Sequence, residues 1–208
     1  MDAVGNPPVN APFLVLDAAA RTASLTRTLA SAPESGEIWV FGFGSLMWNP
    51  GFDHDRSHPA VLDGYQRKFH IWTAMARGTP ECPGLGLCLE AGVGDCRGIA
   101  FRMLPEVRDA AFAYLWDREM VSGIYQPAWV PIVLDDGEAL TALTFVVNRD
   151  HQQYAGPMPP ERMAEVMENA AGKYGRCRDY LANTVAELAG LGVPDRELED
   201  LLDLIDAR

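Results

Sequence analysis

The chain has 208 residues, of which 48% are hydrophobic and 22% charged, and this is the makeup of one globular domain or of one domain with appendages. Acidic residues outnumber basic ones by 29 to 17, and the net charge of −12 argues against nucleic-acid and anionic membrane partners, because both bind clustered Lys and Arg. Residues 1–8 lack the features of a secretory signal and no apolar run is long enough to span a bilayer, so we expect a cytoplasmic protein.

The first predicted elements are a short helix and a buried strand. Residues 1–36 form an extension that opens with a loose Pro- and Asn-rich stretch, and Asp17 is placed to cap a helix over residues 18–29. The main body begins with the continuous apolar run 38–41, which predicts a buried strand. Stretches rich in β-branched and aromatic residues predict further strands over 65–73, 85–89, 98–104, 129–134 and 140–147.

Helical patterns alternate with these strands once and then fill the C-terminal part of the chain. They predict helices over 106–120, 160–171, 178–188 and 195–205. In the last helix Leu198, Leu201 and Ile205 share one face and acidic residues occupy the other, which is typical of an amphipathic helix packed on a domain. Because strands dominate the middle and helices the end, we predict an α+β fold with a curved or barrel-like sheet. The predicted parts are an extension (1–36), a main domain (37–191) and a C-terminal acidic helix (192–208).

The turn after the first predicted strand is the most informative stretch, with the sequence Phe41-Gly42-Phe43-Gly44-Ser45-Leu46. Paired glycines permit backbone conformations barred to other residues, and they let a ligand approach the main-chain N–H groups. Successive N–H groups form a concave nest for a carboxylate or an oxyanion. Met47 stands where a dinucleotide fingerprint needs its third glycine and where a hydrolase nucleophile elbow needs its last one. The alternative is a tight turn or β-bulge without a ligand.

A second clue is a carboxylate on an apolar helix face. Glu119 lies four residues after Leu115 and seven after Phe112, so the three side chains share one face of the predicted helix. An apolar environment raises the pKa of a carboxyl group towards neutrality, as a general acid/base requires. The alternative is an ordinary glutamate that reaches solvent or pairs with Arg118 or Lys173.

Metal binding is not predicted. His54 and His58 alternate with acidic residues between positions 53 and 59, but this stretch reads as a loop and no third group of ligands accompanies it. The four cysteines include no CxxC pair, so free thiols are expected instead of a zinc site or a disulfide framework.

Several motifs in a fixed order together resemble the ChaC-like family, the glutathione-specific γ-glutamylcyclotransferases. The similarity runs from about residue 38 to residue 188. The motifs are Val40-Phe41-Gly42-Phe43-Gly44-Ser45-Leu46-Met47-Trp48, Arg77-Gly78-Thr79-Pro80 with Pro83-Gly84, Arg118-Glu119-Met120, Tyr154-Ala155-Gly156-Pro157, and Gly175-Arg176-Cys177-Arg178-Asp179-Tyr180-Leu181.

The resemblance implies a mixed β-barrel with surrounding helices and a cyclotransferase that needs neither metal nor cofactor. It implies that Glu119 is the catalytic acid/base and that the turn from Phe41 to Leu46 binds the γ-glutamyl part of glutathione. Phe43 stands where the family usually has tyrosine, and Cys177 stands where it often has asparagine.

Three further residues are candidate contacts to the substrate. Arg77 lies in a Gly- and Pro-rich stretch and could neutralise a substrate carboxylate, although a surface arginine fits the pattern equally well. Tyr154 and Tyr180 are candidate hydrogen-bond donors, and packing is the alternative for each.

Competing functions remain open on the sequence alone. The first is a cyclotransferase for another γ-glutamyl compound, which would use the same turn and the same Glu119. The second is a non-catalytic small-molecule sensor, and the third is an interaction module built on the acidic C-terminal helix. The sequence predicts no oligomeric state.

Overall fold

The structure is a computed structural model that describes residues 15–34 and 36–208. The predicted Pro-rich opening therefore lies outside the described residues. Contacts divide the described chain into two compact units. Among the described residues, we call 15–67 (without 35) together with 89–148 the barrel unit, and 68–88 together with 149–208 the helical unit.

Five strands form one sheet, namely β1 (Trp39–Gly42), β2 (His54–Thr73), β3 (Gly84–Met103), β4 (Tyr125–Leu134) and β5 (Ala139–Val147). They close into a barrel in the order β1-β3-β2-β4-β5. β1 pairs with β3 in antiparallel fashion and with β5 in parallel fashion, and Trp39 lies opposite both Arg102 and Ala142. β4 and β5 form a long antiparallel hairpin.

Two long strands differ from the sequence prediction. The stretch 53–59 was predicted as a loop, and this is wrong because β2 begins at His54. Its first residues are mostly exposed and polar, so they lack the apolar signature of a strand, yet Ala60 and Val61 pair with β4. The predicted strands 85–89 and 98–104 are one continuous strand, β3.

The core of the barrel unit joins β1, β5 and the helix α2, Arg108–Glu119. The residues of this buried cluster are apolar, namely Ile38, Val40, Leu46, Met103, Ala111, Phe112, Leu115, Trp116, Met120, Leu143 and Phe145. Since Leu46 belongs to the glycine turn and Leu115 to α2, the same cluster anchors both predicted site segments.

The N-terminal helix α1, Ala18–Ala30, packs on this core through Leu25 and Leu29. Its predicted cap is confirmed, because Asp17 accepts a hydrogen bond from the Ala20 N–H at 2.7 Å. The indole N–H of Trp129 donates to the Thr28 carbonyl at 2.9 Å, and the Leu16 N–H donates to the Val121 carbonyl at 2.8 Å. These contacts fix α1 beside the end of α2.

The helical unit contains three helices and a two-stranded hairpin. Its C-terminal helix is confirmed as amphipathic, since Leu198, Leu201 and Ile205 are buried while its acidic face is largely exposed. No helix among the described residues is long and apolar enough to cross a membrane. The elements are α3 (Pro160–Asn169), β6 (Ala171–Gly172), β7 (Gly175–Arg176), α4 (Cys177–Gly190) and α5 (Arg196–Asp206).

Candidate active site

The glycine turn is held on both sides by hydrogen bonds to its main-chain carbonyls. The hydroxyl of Thr144 on β5 donates to the Phe41 carbonyl at 3.0 Å. The buried guanidinium of Arg67 on β2 donates through Nε to the Phe43 carbonyl. The Met47 N–H donates to the Gly44 carbonyl at 2.8 Å, which begins a short 3-10 turn over Ser45–Met47. The turn is therefore a rigid part of the barrel unit.

Close approach explains the glycine at position 42. Gly42 lies within β1, and a Cβ atom there would stand 3.1 Å from both the Leu46 Cβ and the Met47 nitrogen. This differs from the expected reason, an unusual backbone conformation. For the N–H groups of Gly44, Ser45 and Leu46 the structure gives no acceptor within the part of the chain it describes. These groups are the donors that an anionic guest would require.

Glu119 is the last residue of α2 and lies in the apolar environment predicted for it. Phe112 and Leu115 on the same face are fully buried, and the Glu119 side chain is only 15% exposed. Its Oε1 lies 3.0 Å from Nε of Arg118, so the ion pair that the sequence left open is also present. Burial raises the pKa of Glu119 above 4.5, and the Arg118 charge opposes this shift only in part.

Arg118 connects Glu119 to the glycine turn. While Nε faces Glu119, Nη2 donates to Oγ of Ser45 at 2.6 Å. Nη1 donates to the Asn49 carbonyl at 2.6 Å and to the Tyr114 hydroxyl at 3.2 Å. One side chain thus contacts both the acid and the turn, so these two segments lie close together although they are distant in sequence.

Sequence reasoning named Arg118 as one candidate ion-pair partner of Glu119 but not as a contact to the glycine turn, and it did not single out Arg67. The contacts of both depend on tertiary approach, because Arg67 and Phe43 are 24 positions apart and Arg118 and Ser45 are 73 apart. The one available signal was the place of Arg118 in the Arg118-Glu119-Met120 motif.

The helical unit brings two other predicted residues together. The Arg77 guanidinium lies 4.8 Å from the ring centroid of Tyr180, and its Nη1 donates to the Tyr174 carbonyl. Tyr154 pairs with Ile71 in an isolated β-bridge, and its ring lies 6.5 Å from that of His70.

Cys177 has a structural role in the helical unit. Its buried Sγ donates to the Leu85 carbonyl at 3.2 Å and accepts from the Leu85 N–H at 3.4 Å. Burial raises its pKa to about 11, so the thiol stays protonated and can keep donating. An asparagine amide also offers one donor and one acceptor group, which explains how cysteine can replace the residue that the family often has here.

The two histidines near the start of β2 have other partners. The ring of His54 packs edge-on against Phe101 at 4.8 Å, and Nδ1 of His58 lies 3.1 Å from Asp135 Oδ1. Within residues 15–34 and 36–208, no group of three or more His, Cys, Asp or Glu side chains is placed to hold a metal ion.

Comparison with known proteins agrees with this geometry. The fold is shared with the crystal structure of a glutathione-specific γ-glutamyl cyclotransferase from yeast, at a TM-score of 0.74 and 21% identity, with 82% of this chain and 96% of the yeast chain covered. The predicted mixed barrel with surrounding helices is therefore confirmed. A family model described as ChaC-like protein matches residues 38–208.

Curated relatives extend the similarity over most of the chain. A glutathione-specific γ-glutamylcyclotransferase of Escherichia coli K12 is 38% identical, with 91% of this chain and 81% of the relative covered. γ-Glutamylcyclotransferase 2-3 of Arabidopsis thaliana is 34% identical, with 81% of this chain and 88% of the relative covered. A human glutathione-specific γ-glutamylcyclotransferase 1 is 32% identical, with 82% of this chain and 78% of the relative covered. The chain belongs to the ChaC-like family.

Proposed function

We propose that the protein is a γ-glutamylcyclotransferase that cleaves glutathione into 5-oxoproline and Cys-Gly. The observation that carries this proposal is the buried Glu119, whose pKa is raised and which one arginine joins to the glycine turn. The names of the relatives support glutathione as the substrate. The enzyme thus acts in glutathione catabolism.

The proposed reaction is intramolecular. The α-amino nitrogen of the γ-glutamyl residue attacks the carbonyl carbon of its own side chain, and the new C–N bond closes a five-membered ring. The bond from that carbon to the cysteine nitrogen then breaks and Cys-Gly leaves. No water is consumed, and no metal or cofactor takes part. Because nucleophile and electrophile belong to one molecule, correct positioning supplies much of the rate enhancement.

Glu119 is the proposed proton carrier. A free α-amino group has a pKa of about 8, so at neutral pH the substrate must lose a proton before it can attack. The Glu119 carboxylate accepts this proton and returns it to the leaving cysteine nitrogen. The ring nitrogen gives up a second proton after it has attacked, and the amino group of Cys-Gly takes up one as it becomes an ammonium, so the overall reaction neither releases nor consumes a proton. A carboxyl group with a raised pKa is suited to both steps, because its affinity for the proton lies closer to those of the two nitrogens.

The glycine turn is the proposed binding element for the γ-glutamyl group. The N–H groups of Gly44, Ser45 and Leu46 can hold the α-carboxylate or stabilise the charge that develops on the carbonyl oxygen. A donor aimed at such an oxyanion contributes on the order of 3 kcal/mol. Phe41, Gly42 and Phe43 shape the turn, and Phe43 brings no hydroxyl to this contact.

Further assignments rest on the family resemblance. Arg77, Tyr154 and Tyr180 are proposed to bind substrate, and the contact between the half-buried Arg77 and Tyr180 supports placing these two together. The free thiols of all four cysteines support a reducing, cytoplasmic location.

The test is turnover by the purified full-length protein in the presence of a chelator. Glutathione is expected to disappear while 5-oxoproline and Cys-Gly appear in equal amounts. A panel of γ-glutamyl dipeptides run in parallel measures selectivity, and we expect the highest kcat/KM with glutathione. A higher kcat/KM for another γ-glutamyl compound would assign the enzyme to that substrate. No 5-oxoproline from any of them would refute the proposal.

A further inference from the structure

Arg118 does more than balance the charge of Glu119. The inference drawn from its contacts rests on the proposed function. We propose that Arg118 is a positioning residue that locks Glu119 against the glycine turn, so that the proton acceptor and the bound γ-glutamyl group keep one fixed geometry.

The Arg118 guanidinium contacts protein atoms both on its own helix and in the segment that follows β1. Its three nitrogens contact Glu119 Oε1, Ser45 Oγ, the Asn49 carbonyl and the Tyr114 hydroxyl at distances of 2.6 to 3.2 Å. A planar guanidinium directs these donors at fixed angles, whereas an ammonium group cannot hold such a set at once. Arg118 is therefore a brace between segments that lie far apart in sequence.

Its partners also exclude a simple surface role. The Arg118 side chain is only 19% exposed, and each of its three nitrogens contacts a protein atom. Few donors are left for a substrate carboxylate, so its effect on the reaction passes through Glu119 and Ser45.

The charges around Glu119 support the same assignment. Arg118 supplies the positive charge that acts on the Glu119 carboxylate. On the facing helix α1, Arg21 lies 3.7 Å from Asp117, and the glycine turn presents the uncharged Ser45. Tyr114 contacts Arg118 instead of Glu119. Removal of the Arg118 charge should therefore raise the pKa of Glu119 further, whereas a purely structural arginine would leave that pKa unchanged.

The experiment compares R118M, R118K and S45A with wild type by kcat, KM and the pH profile of kcat/KM. R118M removes charge and brace, so we expect kcat to fall roughly 100-fold, as a displacement of about 1 Å can cause, and the acid limb of the profile to move to higher pH. R118K keeps the positive charge but loses the planar set of guanidinium donors. We therefore expect kcat to fall at least tenfold while the acid limb of the pH profile stays near that of wild type. S45A removes only the hydrogen bond between Arg118 and the glycine turn, so it should raise KM without moving the acid limb of the pH profile.

The matched control is R108M on the same helix. Arg108 begins α2 and lies over the ring of Phe112 at 5.8 Å, at the opposite end of the helix from Glu119. We expect its kcat to stay within about twofold of wild type, as is usual for a surface substitution.

Two outcomes would overturn the proposal: wild-type kcat in R118K, or an unchanged acid limb in a folded R118M. If R118M does not fold, the kcat of R118K and the KM of S45A still test whether Arg118 positions Glu119. A carbon-13 NMR titration of the Glu119 carboxyl group in wild type and R118K or R118M measures the coupling without turnover. An inactive wild type would refute the proposed function, while this titration would still test the brace.

Discussion

Two arginine–carboxylate clusters in the barrel unit use the same groups with opposite results. Arg102 on β3 forms a two-point contact with Asp55 at 2.9 and 2.5 Å and contacts Glu37 at 3.0 Å. The carboxylates are open to solvent, with Asp55 39% and Glu37 51% exposed. Hydrogen bonding to Arg102 therefore dominates and lowers the pKa of Asp55 below 3.8.

The Arg118–Glu119 pair reverses this balance. Here the carboxylate is mostly buried, so desolvation outweighs the nearby positive charge and the pKa rises. An ion pair alone does not reveal whether a carboxylate is adapted for chemistry. What distinguishes the two clusters is how far each carboxylate is exposed to solvent.

The largest expected difference between the clusters is in turnover. Glu119→Gln keeps the size of the side chain but cannot accept the substrate proton, so kcat should fall by roughly 10²- to 10⁴-fold. The matched control Asp55→Asn removes an equally well-paired carboxylate, and its kcat should stay within about twofold of wild type. Steady-state glutathione turnover measures both. Wild-type kcat in E119Q would show that Glu119 is not the proton carrier.

A smaller effect should appear in the pH dependence of stability, with opposite sign in the two clusters. The folded-state pKa of Glu119 is raised, so wild type loses stability relative to E119Q as pH rises from about 4.5 through that pKa. The folded-state pKa of Asp55 is lowered, so wild type loses stability relative to D55N as pH falls from about 3.8 through that pKa. Urea unfolding between pH 3 and pH 7.5 measures both slopes. Slopes of the same sign would refute the contrast.

The smallest expected difference between the clusters is in how much added salt changes the stability effect of removing each arginine. Exposed charges are screened within less than about 10 Å above 0.1 M ionic strength, so the loss of stability in Arg102→Met should shrink when NaCl is added. The effect of Arg118→Met should change less, because its charged partner Glu119 is largely shielded from solvent. Urea unfolding of each variant against wild type, at 0.05 and 0.5 M NaCl, provides the comparison. Equal salt sensitivity would mean that burial does not distinguish the pairs.

The sequence predicted the elements whose apolar residues repeat with a clear period. From the spacing of Phe112, Leu115 and Glu119 two alternatives followed, a desolvated acid and a glutamate paired with a cation, and the structure shows both features. The start of β2 was missed because its residues are mostly polar and exposed, and the pairing with β4 at Ala60 and Val61 is a tertiary contact that local sequence does not show. The break predicted inside β3 reflects exposed residues around Gly92 and Gly94, where the strand nevertheless continues.

The candidate site was predictable only in part for the same reason. Local spacing can place Glu119 on a helix face, but it cannot show that a side chain on α2 reaches the turn after β1. The Arg118–Ser45 contact and the Arg67–Phe43 contact arise from barrel closure, which joins segments without a common periodicity. Likewise, the glycine at position 42 is explained by the proximity of Leu46 and Met47 in the folded chain.

The position of α1 has a practical consequence for trimming the protein. The matched family region starts at residue 38, yet α1 covers the barrel-unit core with Leu25 and Leu29 and accepts the indole hydrogen bond of Trp129. A truncated chain starting at residue 38 would expose this apolar surface to water and leave the Trp129 N–H without its acceptor. Such a shortened enzyme would be prone to aggregate, so recombinant versions should begin upstream of Asp17.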